Sequence, residues 1–263
     1  MKVRLYQVDA FARRPFAGNP AAVCLLPRWP GDDLLRDVAA ENAVPETAFL
    51  VPAAGGDYDI RWFTPEVEVD LCGHATLASG WVVLERLGPG RGAVAFRSRE
   101  AGLLGVERDG ERLALDFPSR PARPAGPPPA LVAALGGEPR ECWKARDYVA
   151  VLSSEAEVRS LRPDLAAVRA LDAQGLIVTA PGEACDFVSR YFAPQAGIDE
   201  DPVTGSAHCT LAPLWAERLG RRELTARQVS RRGGELWCEL RGDRVRIAGH
   251  VTPFLEGFAE IPL

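Results

Sequence analysis

Lysine is nearly absent from this 263-residue chain, and its scarcity limits the chemistry available. Lys2 lies at the amino terminus, Lys144 is the only other lysine, and arginine supplies the rest of the 31 basic residues. An enzyme that uses pyridoxal phosphate needs a lysine for its Schiff base. Because Lys144 alone could serve, the sequence argues against this cofactor class.

Paired cysteines are also absent, although the chain has six cysteines, at positions 24, 72, 142, 185, 209 and 238. No Cys-x-x-Cys pair occurs, which argues against a zinc ribbon and a thioredoxin-like centre. A zinc site of two cysteines and two histidines would have to combine a Cys-x-His segment with an adjacent His-Cys pair, and both spacings are poor for ligands of one ion. Its members would be Cys72, His74, His208 and Cys209. We therefore expect no metal and no organic cofactor, and most cysteines are interpreted as small buried hydrophobic residues.

Several further classes are excluded by what the chain lacks. No apolar run reaches about 18 residues and the amino terminus has no apolar signal region, so we expect a cytoplasmic protein that does not enter a membrane. The net charge of −5 comes without a basic block, so no nucleic-acid partner is expected. The glycine-rich stretch at 88–92 follows a helical segment and precedes a strand, the reverse of a dinucleotide-binding motif.

What the sequence does have is the composition of an ordinary globular protein, with 47% hydrophobic and 25% charged residues. The length favours about two domains. The segment Pro118–Pro129 contains six prolines and cannot form regular structure. We place the domain boundary there, which gives an N-terminal domain at 1–118, completed by 252–263, and a C-terminal domain at 130–251.

An internal repeat supports two similar halves. The eight residues that begin at His74 match the eight that begin at His208 at five positions, an offset of 134 residues. Aligning the turns that precede the two segments gives an offset of 130 instead, about one helical turn away. Either register describes a turn that opens into an apolar helix, and we interpret the repeat as a duplication.

Three short segments place polar side chains where the local pattern does not require them. Glu46 opens an apolar strand directly after a proline, and His74 enters the first turn of a predicted helix behind Gly73. An acidic run that ends at Asp201 meets a second glycine turn at a predicted helix start. Helix N-termini bind carboxylates because they carry unpaired N–H groups and positive potential. Two such helix starts predict a clamp for a small acid in a cleft between the domains.

The remaining polar groups of these segments complete the predicted site. The glycines let a ligand approach the backbone and the hydroxyl groups add donors, at Gly73, Thr76, Thr204, Gly205 and Ser206. Such a site stabilises an enolate-like charge without a metal, while Glu46 and His74 take and return a proton. Structural interpretations stay open beside this one: Glu46 as a surface charge, His74 as a helix cap, and Asp201 as a charge that favours the helix dipole.

Taken together, these segments resemble the phenazine-biosynthesis PhzF-like isomerase family, which shares the two-domain diaminopimelate epimerase-like fold. They run nearly end to end in the order of the family. The matching motifs are Tyr6-Gln7-Val8-Asp9-Ala10-Phe11, Gly18-Asn19-Pro20-Ala21-Ala22-Val23, Pro45-Glu46-Thr47-Ala48-Phe49, Arg61-Trp62-Phe63-Thr64-Pro65, Asp70-Leu71-Cys72-Gly73-His74-Ala75-Thr76 and Asp201-Pro202-Val203-Thr204-Gly205-Ser206-Ala207-His208.

The resemblance implies an α+β fold of two similar domains, each a curved, barrel-like sheet around a central helix. It also implies a homodimeric isomerase that acts on a small acidic metabolite without cofactor or metal. Glu46 is then the general acid/base, and His74, Asp201 and Ser206 surround the substrate, with His74 and Asp201 assisting transfer. Thiol epimerases of this fold carry a second cysteine where this chain has Pro202, which disfavours the two-thiol route. A non-catalytic small-acid binding or scaffold protein on the same fold remains the alternative.

Overall fold

The computed structural model describes residues 1–262, which divide into two compact units. One unit contains residues 1–116 together with the chain from residue 248 onward, and the other contains residues 117–247. Each unit mixes strands and helices, as predicted. The proline-rich segment Pro118–Pro129 belongs to the second unit and contains one short strand and the start of a helix, so the expectation that it forms no regular structure is wrong.

The strands of the first unit follow from their apolar patterns. Lys2 and Arg4 are exposed while Val3 is buried between them, whereas the next strand is buried on both faces and reads as a continuous apolar run. The strands up to residue 118 are β1 (Lys2–Ala10), β2 (Asn19–Leu25), β3 (Glu46–Pro52), β4 (Tyr58–Phe63), β5 (Glu68–Val69), β6 (Ala93–Ser98), β7 (Gly102–Asp109) and β8 (Arg112–Pro118).

A buried helix, α2, runs through the first unit and carries one of the predicted site residues. The helices here are α1 (Asp32–Asn42), a 3₁₀ turn (Ala54–Gly56), and α2 (Gly73–Trp81), which continues as a π-helix (Val82–Leu87). All nine residues of α2 are buried, and it packs against β1, β2, β3, β6 and β7. Small residues allow this approach: a Cβ added at Gly80 would overlap the Val106 side chain.

The second unit repeats this arrangement. Its strands are β9 (Arg123–Pro124), β10 (Glu141–Lys144), β11 (Tyr148–Val151), β12 (Leu176–Pro181), β13 (Phe187–Ala193), β14 (Ile198–Asp201), β15 (Glu223–Gln228), β16 (Gly234–Arg241) and β17 (Arg244–Gly249). Its helices are α3 (Pro129–Leu135), α4 (Glu155–Ser160), α5 (Leu165–Arg169), a 3₁₀ turn (Pro194–Ala196) and α6 (Gly205–Leu219). Among the helices of the described residues, none has the length and apolarity that crossing a membrane requires.

The two units share one order of strand pairing. In the first, β1–β2 is antiparallel, β2–β3 parallel, β3–β4 antiparallel, β4–β6 parallel and β6–β7 antiparallel. In the second, β10–β11, β11–β12, β12–β13, β13–β15 and β15–β16 follow the same alternation. The short strands β5 and β14 pair with β4 and β13, and each leads into the buried helix of its unit. The duplication inferred from the repeat is therefore present in the topology.

The last strand, β18 (Val251–Glu260), returns to the beginning of the chain. It pairs antiparallel with β1, from Lys2 opposite Glu260 to Ala10 opposite Val251. The first unit is thus built from both ends of the sequence, with β1 between β2 and β18.

Candidate active site

Glu46 and His74 form an ion pair inside the first unit. Glu46 is the first residue of β3 and His74 is the second residue of α2. Glu46 Oε2 lies 3.2 Å from His74 Nε2, and the two side chains are 12% and 5% exposed. The contact with the imidazole is an ion pair, and the oxygen accepts no hydrogen bond from the described residues. The pair therefore holds a buried carboxylate oxygen with an unused lone pair.

The other imidazole nitrogen contacts two side chains that fix the ring. His74 Nδ1 lies 3.1 Å from Asn19 Nδ2 and 3.5 Å from Cys72 Sγ. Asn19 is buried at the first position of β2, and Cys72 is buried directly before α2. An amide carries a donor and an acceptor, so Asn19 can accept from an Nδ1–H of His74 through its oxygen or donate to a bare Nδ1 through its nitrogen.

These neighbours also set the protonation of the cluster. Burial lowers the pKa of His74, but Cys72 and Glu46 outweigh it and hold the His74 pKa well above its ordinary value. Burial and the charge of Glu46 raise the pKa of the Cys72 thiol to about 11. At neutral pH His74 is therefore an imidazolium and Cys72 is a thiol.

The second unit places Asp201 and Thr204 in a buried turn before α6. Thr204 Oγ1 donates to Asp201 Oδ2 at 2.5 Å. The amide of Gln228 braces the same turn, since its Nε2 donates to the Asp201 carbonyl oxygen at 2.7 Å and its Oε1 accepts from Thr204 N–H at 2.8 Å. All three residues are buried. The turn is therefore fixed by side chains on two strands, β14 and β15.

Ser206, the second residue of α6, is held by a network that the sequence did not reveal. Arg146 Nη2 donates to Ser206 Oγ at 3.2 Å and lies 3.3 Å from Asp147 Oδ2. Tyr191 donates its hydroxyl to Asp147 Oδ1 at 3.1 Å. Burial raises the pKa of Asp147, and burial together with that carboxylate raises the pKa of Tyr191, which keeps the phenol a donor. A guanidinium is thus positioned at the first turn of α6.

The two helix starts are built alike. Neither N-cap residue, Cys72 before α2 or Thr204 before α6, caps the first turn with its side chain. Four residues further on, Thr76 Oγ1 donates to the Cys72 carbonyl at 2.6 Å, and His208 Nδ1 donates to the Thr204 carbonyl at 2.8 Å. Thr76 therefore uses its hydroxyl hydrogen within its own helix.

This correspondence corrects the register of the internal repeat. The first helical residues are Gly73 and Gly205, so the offset is 205 − 73 = 132 residues. The offsets of 134 and 130 predicted from the sequence are both wrong by two residues. Consequently the counterpart of His74 is Ser206, and the counterpart of His208 is Thr76. The counterpart of Cys72 is Thr204 and not Pro202, so the position named for a second cysteine is corrected as well. The alignment by identical residues failed because both helices are buried. Burial favours small and apolar residues at most positions, so similar residues recur in more than one register.

The structure brings the predicted residues together in two groups, one per unit. Glu46, Gly73 and His74 lie in the first group, to which Asn19 and Cys72 are added. Asp201, Thr204, Gly205 and Ser206 lie in the second, to which the structure adds Arg146, Asp147, Tyr191 and Gln228. Asp147 has a sequence signal that could have found it, because it lies directly before an apolar strand, much as Glu46 opens one.

The chain is similar to known proteins over nearly its whole length. The sequence profile of the family described as phenazine biosynthesis-like protein matches residues 8–131 and 137–257. A Pseudomonas aeruginosa protein named as an uncharacterized isomerase is 48% identical over 257 residues, which cover 98% of each chain. A PhzF-family phenazine biosynthesis protein from Enterococcus faecalis, known from its crystal structure, has a TM-score of 0.95 at 44% identity, over 99% of this chain and 100% of that one.

A more distant structure bears on the fold alone. A hydroxyproline epimerase from Agrobacterium vitis has a TM-score of 0.63 at 12% identity, over 98% of this chain and 92% of its own. Together with the closer structure, it confirms the predicted fold class, an α+β fold of the epimerase type with two similar domains.

Proposed function

Because this chain belongs to the phenazine biosynthesis-like protein family, as its sequence predicted, we propose that it is an isomerase that moves a proton on a small carboxylate-bearing metabolite. Relatives named as isomerases and epimerase-fold neighbours support isomerase activity in general. The finer proposal, on the reaction and its residues, rests on the chemistry of the Glu46 cluster.

The observation that carries the proposal is the unused lone pair of Glu46 Oε2. A carboxylate that accepts hydrogen bonds from several donors is a poor base, because each bond stabilises its charged form. Glu46 Oε2 accepts none from the described residues, and the side chain lies in a mostly buried position. It is therefore suited to remove a proton from a carbon next to the carboxylate of the substrate and to return that proton at a second carbon.

His74 has a different part in this mechanism. Removal of the proton leaves an electron pair that spreads onto a substrate oxygen as an enolate-like charge. The His74 imidazolium donates a hydrogen bond to that oxygen, while Glu46 returns the proton that it removed. Asn19 and Cys72 hold the His74 ring in place. Glu46 and His74 supply both a base and an acid, so we propose that the reaction needs no resident cofactor or metal.

The second group of residues binds the polar parts of the substrate in this proposal. Asp201 assists proton transfer, and Thr204, Gly205 and Ser206 present hydroxyl and backbone groups at an uncapped helix start. Gly73 offers the same backbone groups at the start of α2, while Thr76 supports that start through the Cys72 carbonyl. We also propose that the protein acts as a homodimer.

The test is deuterium incorporation into substrate in D₂O, followed by NMR after a thermal-shift screen of small carboxylic acids has found a ligand. Glu46→Gln preserves shape but removes the titrating group, so binding should persist while exchange falls at least about 10²-fold. Glu41→Gln, on the exposed end of α1, is the matched control and should exchange at the wild-type rate. Equal exchange in wild type and Glu46→Gln would remove Glu46 from the mechanism.

The alternative function predicts a different pattern in the same experiment. A non-catalytic binding or scaffold protein would bind an acid and show no deuterium incorporation in any variant. The intact Glu46 and Asp201, each buried among partners, favour the enzyme.

A further inference from the structure

We infer that two arginine–glutamate pairs, one in each unit, position the helix starts that carry the candidate site. The pairs are Arg61 with Glu68 in the first unit and Arg190 with Glu200 in the second. These four side chains act through the residues that follow the glutamates, so they are positioning residues. Their effect on the reaction rests on the proposed function, whereas their hold on the helix starts does not.

Each pair is a bidentate contact between a buried guanidinium and a carboxylate. Arg61 Nε and Nη2 donate to Glu68 Oε1 and Oε2 at 2.6 and 2.5 Å. Arg190 Nε and Nη2 donate to Glu200 Oε1 and Oε2 at 2.7 and 2.9 Å. The two arginine side chains are 2% and 9% exposed. Two parallel hydrogen bonds between planar groups fix both a distance and an angle, so each glutamate is held in one orientation.

The two arginines are themselves fixed to the rest of their units in a similar way. Each lies two residues before a phenylalanine of its own strand and over that ring, with Cζ 5.0 Å from the Phe63 centroid and 4.8 Å from the Phe192 centroid. The remaining nitrogen, Nη1, donates to Asp32 Oδ1 at 2.8 Å at the start of α1, or to the Leu161 carbonyl oxygen at 2.7 Å just after α4. The guanidinium groups are therefore fixed points to which the glutamates are tied.

The glutamates lie at the same distance along the chain from the two helix starts. Glu68 is on β5, five residues before Gly73, and Glu200 is on β14, five residues before Gly205. Strand β5 pairs with β4 over two residues, and the pairing of β14 with β13 is interrupted by a register shift. Neither helix start is capped by its N-cap side chain. Since the backbone holds these segments by few hydrogen bonds, the glutamate supplies a tie that the backbone does not.

The segments held in this way contain the side chains of the proposed reaction. Cys72 and His74 follow Glu68 within six residues, and Asp201 follows Glu200 directly. A shift of about 1 Å at reacting groups can lower a rate about 10²-fold. A buried ion pair, in contrast, adds little net stability over apolar residues of the same volume. The recurrence of one contact at one distance from both helix starts therefore favours a role in geometry.

The first test follows His74, one of three histidines in the chain, by NMR of its imidazole. Glu68→Gln keeps the size of the side chain but offers the guanidinium one acceptor in place of two, so the segment before α2 should shift. The His74 pKa should then fall by at least about half a pH unit, as the contacts with Glu46 and Cys72 lengthen. Glu66→Gln is the matched control, because Glu66 is exposed in the same segment and pairs with no guanidinium among the described residues. This control should leave the His74 pKa unchanged.

An equal His74 pKa in wild type and Glu68→Gln would overturn the positioning of α2. If Glu68→Gln does not fold, Glu68→Asp gives the same test, because it keeps the charge and shortens the side chain by one carbon.

The second pair is tested through binding, because α6 begins with residues that bind the polar parts of the substrate in the proposed function. Glu200→Gln should weaken binding of the carboxylic acid found by thermal-shift screening at least about 10-fold, and it should leave the His74 pKa unchanged. Wild-type affinity in Glu200→Gln would overturn the positioning of α6.

Deuterium exchange separates these roles from the proposed function. At a saturating concentration of the acid, Glu68→Gln should exchange at least about 10-fold more slowly than wild type, while Glu66→Gln exchanges at the wild-type rate. A lowered His74 pKa with unchanged exchange would overturn the effect on the reaction. A lowered His74 pKa in a chain whose wild type exchanges nothing would contradict only the proposed function.

Discussion

The two histidines at the helix starts, His74 in α2 and His208 in α6, share a residue type and a sequence context but not an environment. His74 lies between a carboxylate and a thiol, and its pKa is well above the ordinary value. His208 is fully buried, donates to the Thr204 carbonyl oxygen, and has its pKa lowered by burial to about 4. The difference follows from where each histidine lies in its helix. His74 is the second residue of α2 and lies beside Glu46 and Cys72, whereas His208 is the fourth residue of α6 and donates to the Thr204 carbonyl oxygen at the start of its own helix.

The largest effect that tests this comparison is on stability in acid. Because the pKa of His208 is lowered from 6.5 to about 4, the unfolded chain binds a proton in this range that the folded chain does not. Stability therefore falls as pH drops from 6.5 to 4, by about 3 kcal/mol from this residue. Urea unfolding at pH 7 and pH 4 should show that loss in wild type and not in His208→Gln. Identical pH dependence in wild type and His208→Gln would show that His208 is not the buried neutral group described here.

For His74 the effect of pH on stability has the opposite sign. Its stabilisation is full below pH 6.5 and is lost as pH rises through its raised pKa.

The next effect sharpens the comparison on activity. His74→Gln removes the imidazolium beside Glu46 and should lower deuterium exchange about 10²-fold. His208→Gln can still donate to the Thr204 carbonyl oxygen, so it should exchange within about threefold of wild type at pH 7. NMR in D₂O on both variants makes the measurement. If His208→Gln loses as much as His74→Gln, the two helix starts are functionally equivalent and the comparison fails.

The smallest effect concerns the side chain that braces the second helix start. Gln228→Leu leaves the Thr204 N–H and the Asp201 carbonyl buried without their present partner, which should cost about 1–3 kcal/mol of unfolding free energy. Gln174→Leu is the matched control, because the Gln174 side chain is exposed and its replacement should change stability by about 0.5 kcal/mol or less. Similar costs for the two variants in urea unfolding would mean that Gln228 does not hold the turn.

The fold and the first half of the site were predictable because their signals are local. Glu46 after a proline at the head of an apolar strand, and His74 behind a glycine at the head of an apolar helix, are polar residues in positions where packing would not select them. Strand β3 and helix α2 then bring them together through ordinary burial of their apolar residues. The residue types in these motifs are therefore enough to predict which side chains of the first unit lie together.

The rest of the site could not be predicted because its contacts join residues far apart in the chain. Tyr191 meets Asp147 across 44 residues and Gln228 meets Thr204 across 24, and no spacing rule connects either pair. The repeat register failed for a related reason. An alignment by identical residues gives every position equal weight. The structure instead aligns the first helical residues, Gly73 and Gly205. This changes the offset by two residues and places His74 opposite Ser206.

The return of β18 to β1 has a consequence for synthesis of the chain. The second unit is continuous in sequence, so all of its residues have left the ribosome once residue 247 has emerged. The first unit still lacks an edge of its sheet at that moment, because β1 pairs with residues made some 250 positions later. Long-range pairing of this kind is slow, since the intervening chain must be closed into a loop before any contact forms. We therefore expect the second unit to fold first during translation, and the half that carries Glu46 and His74 to be completed last.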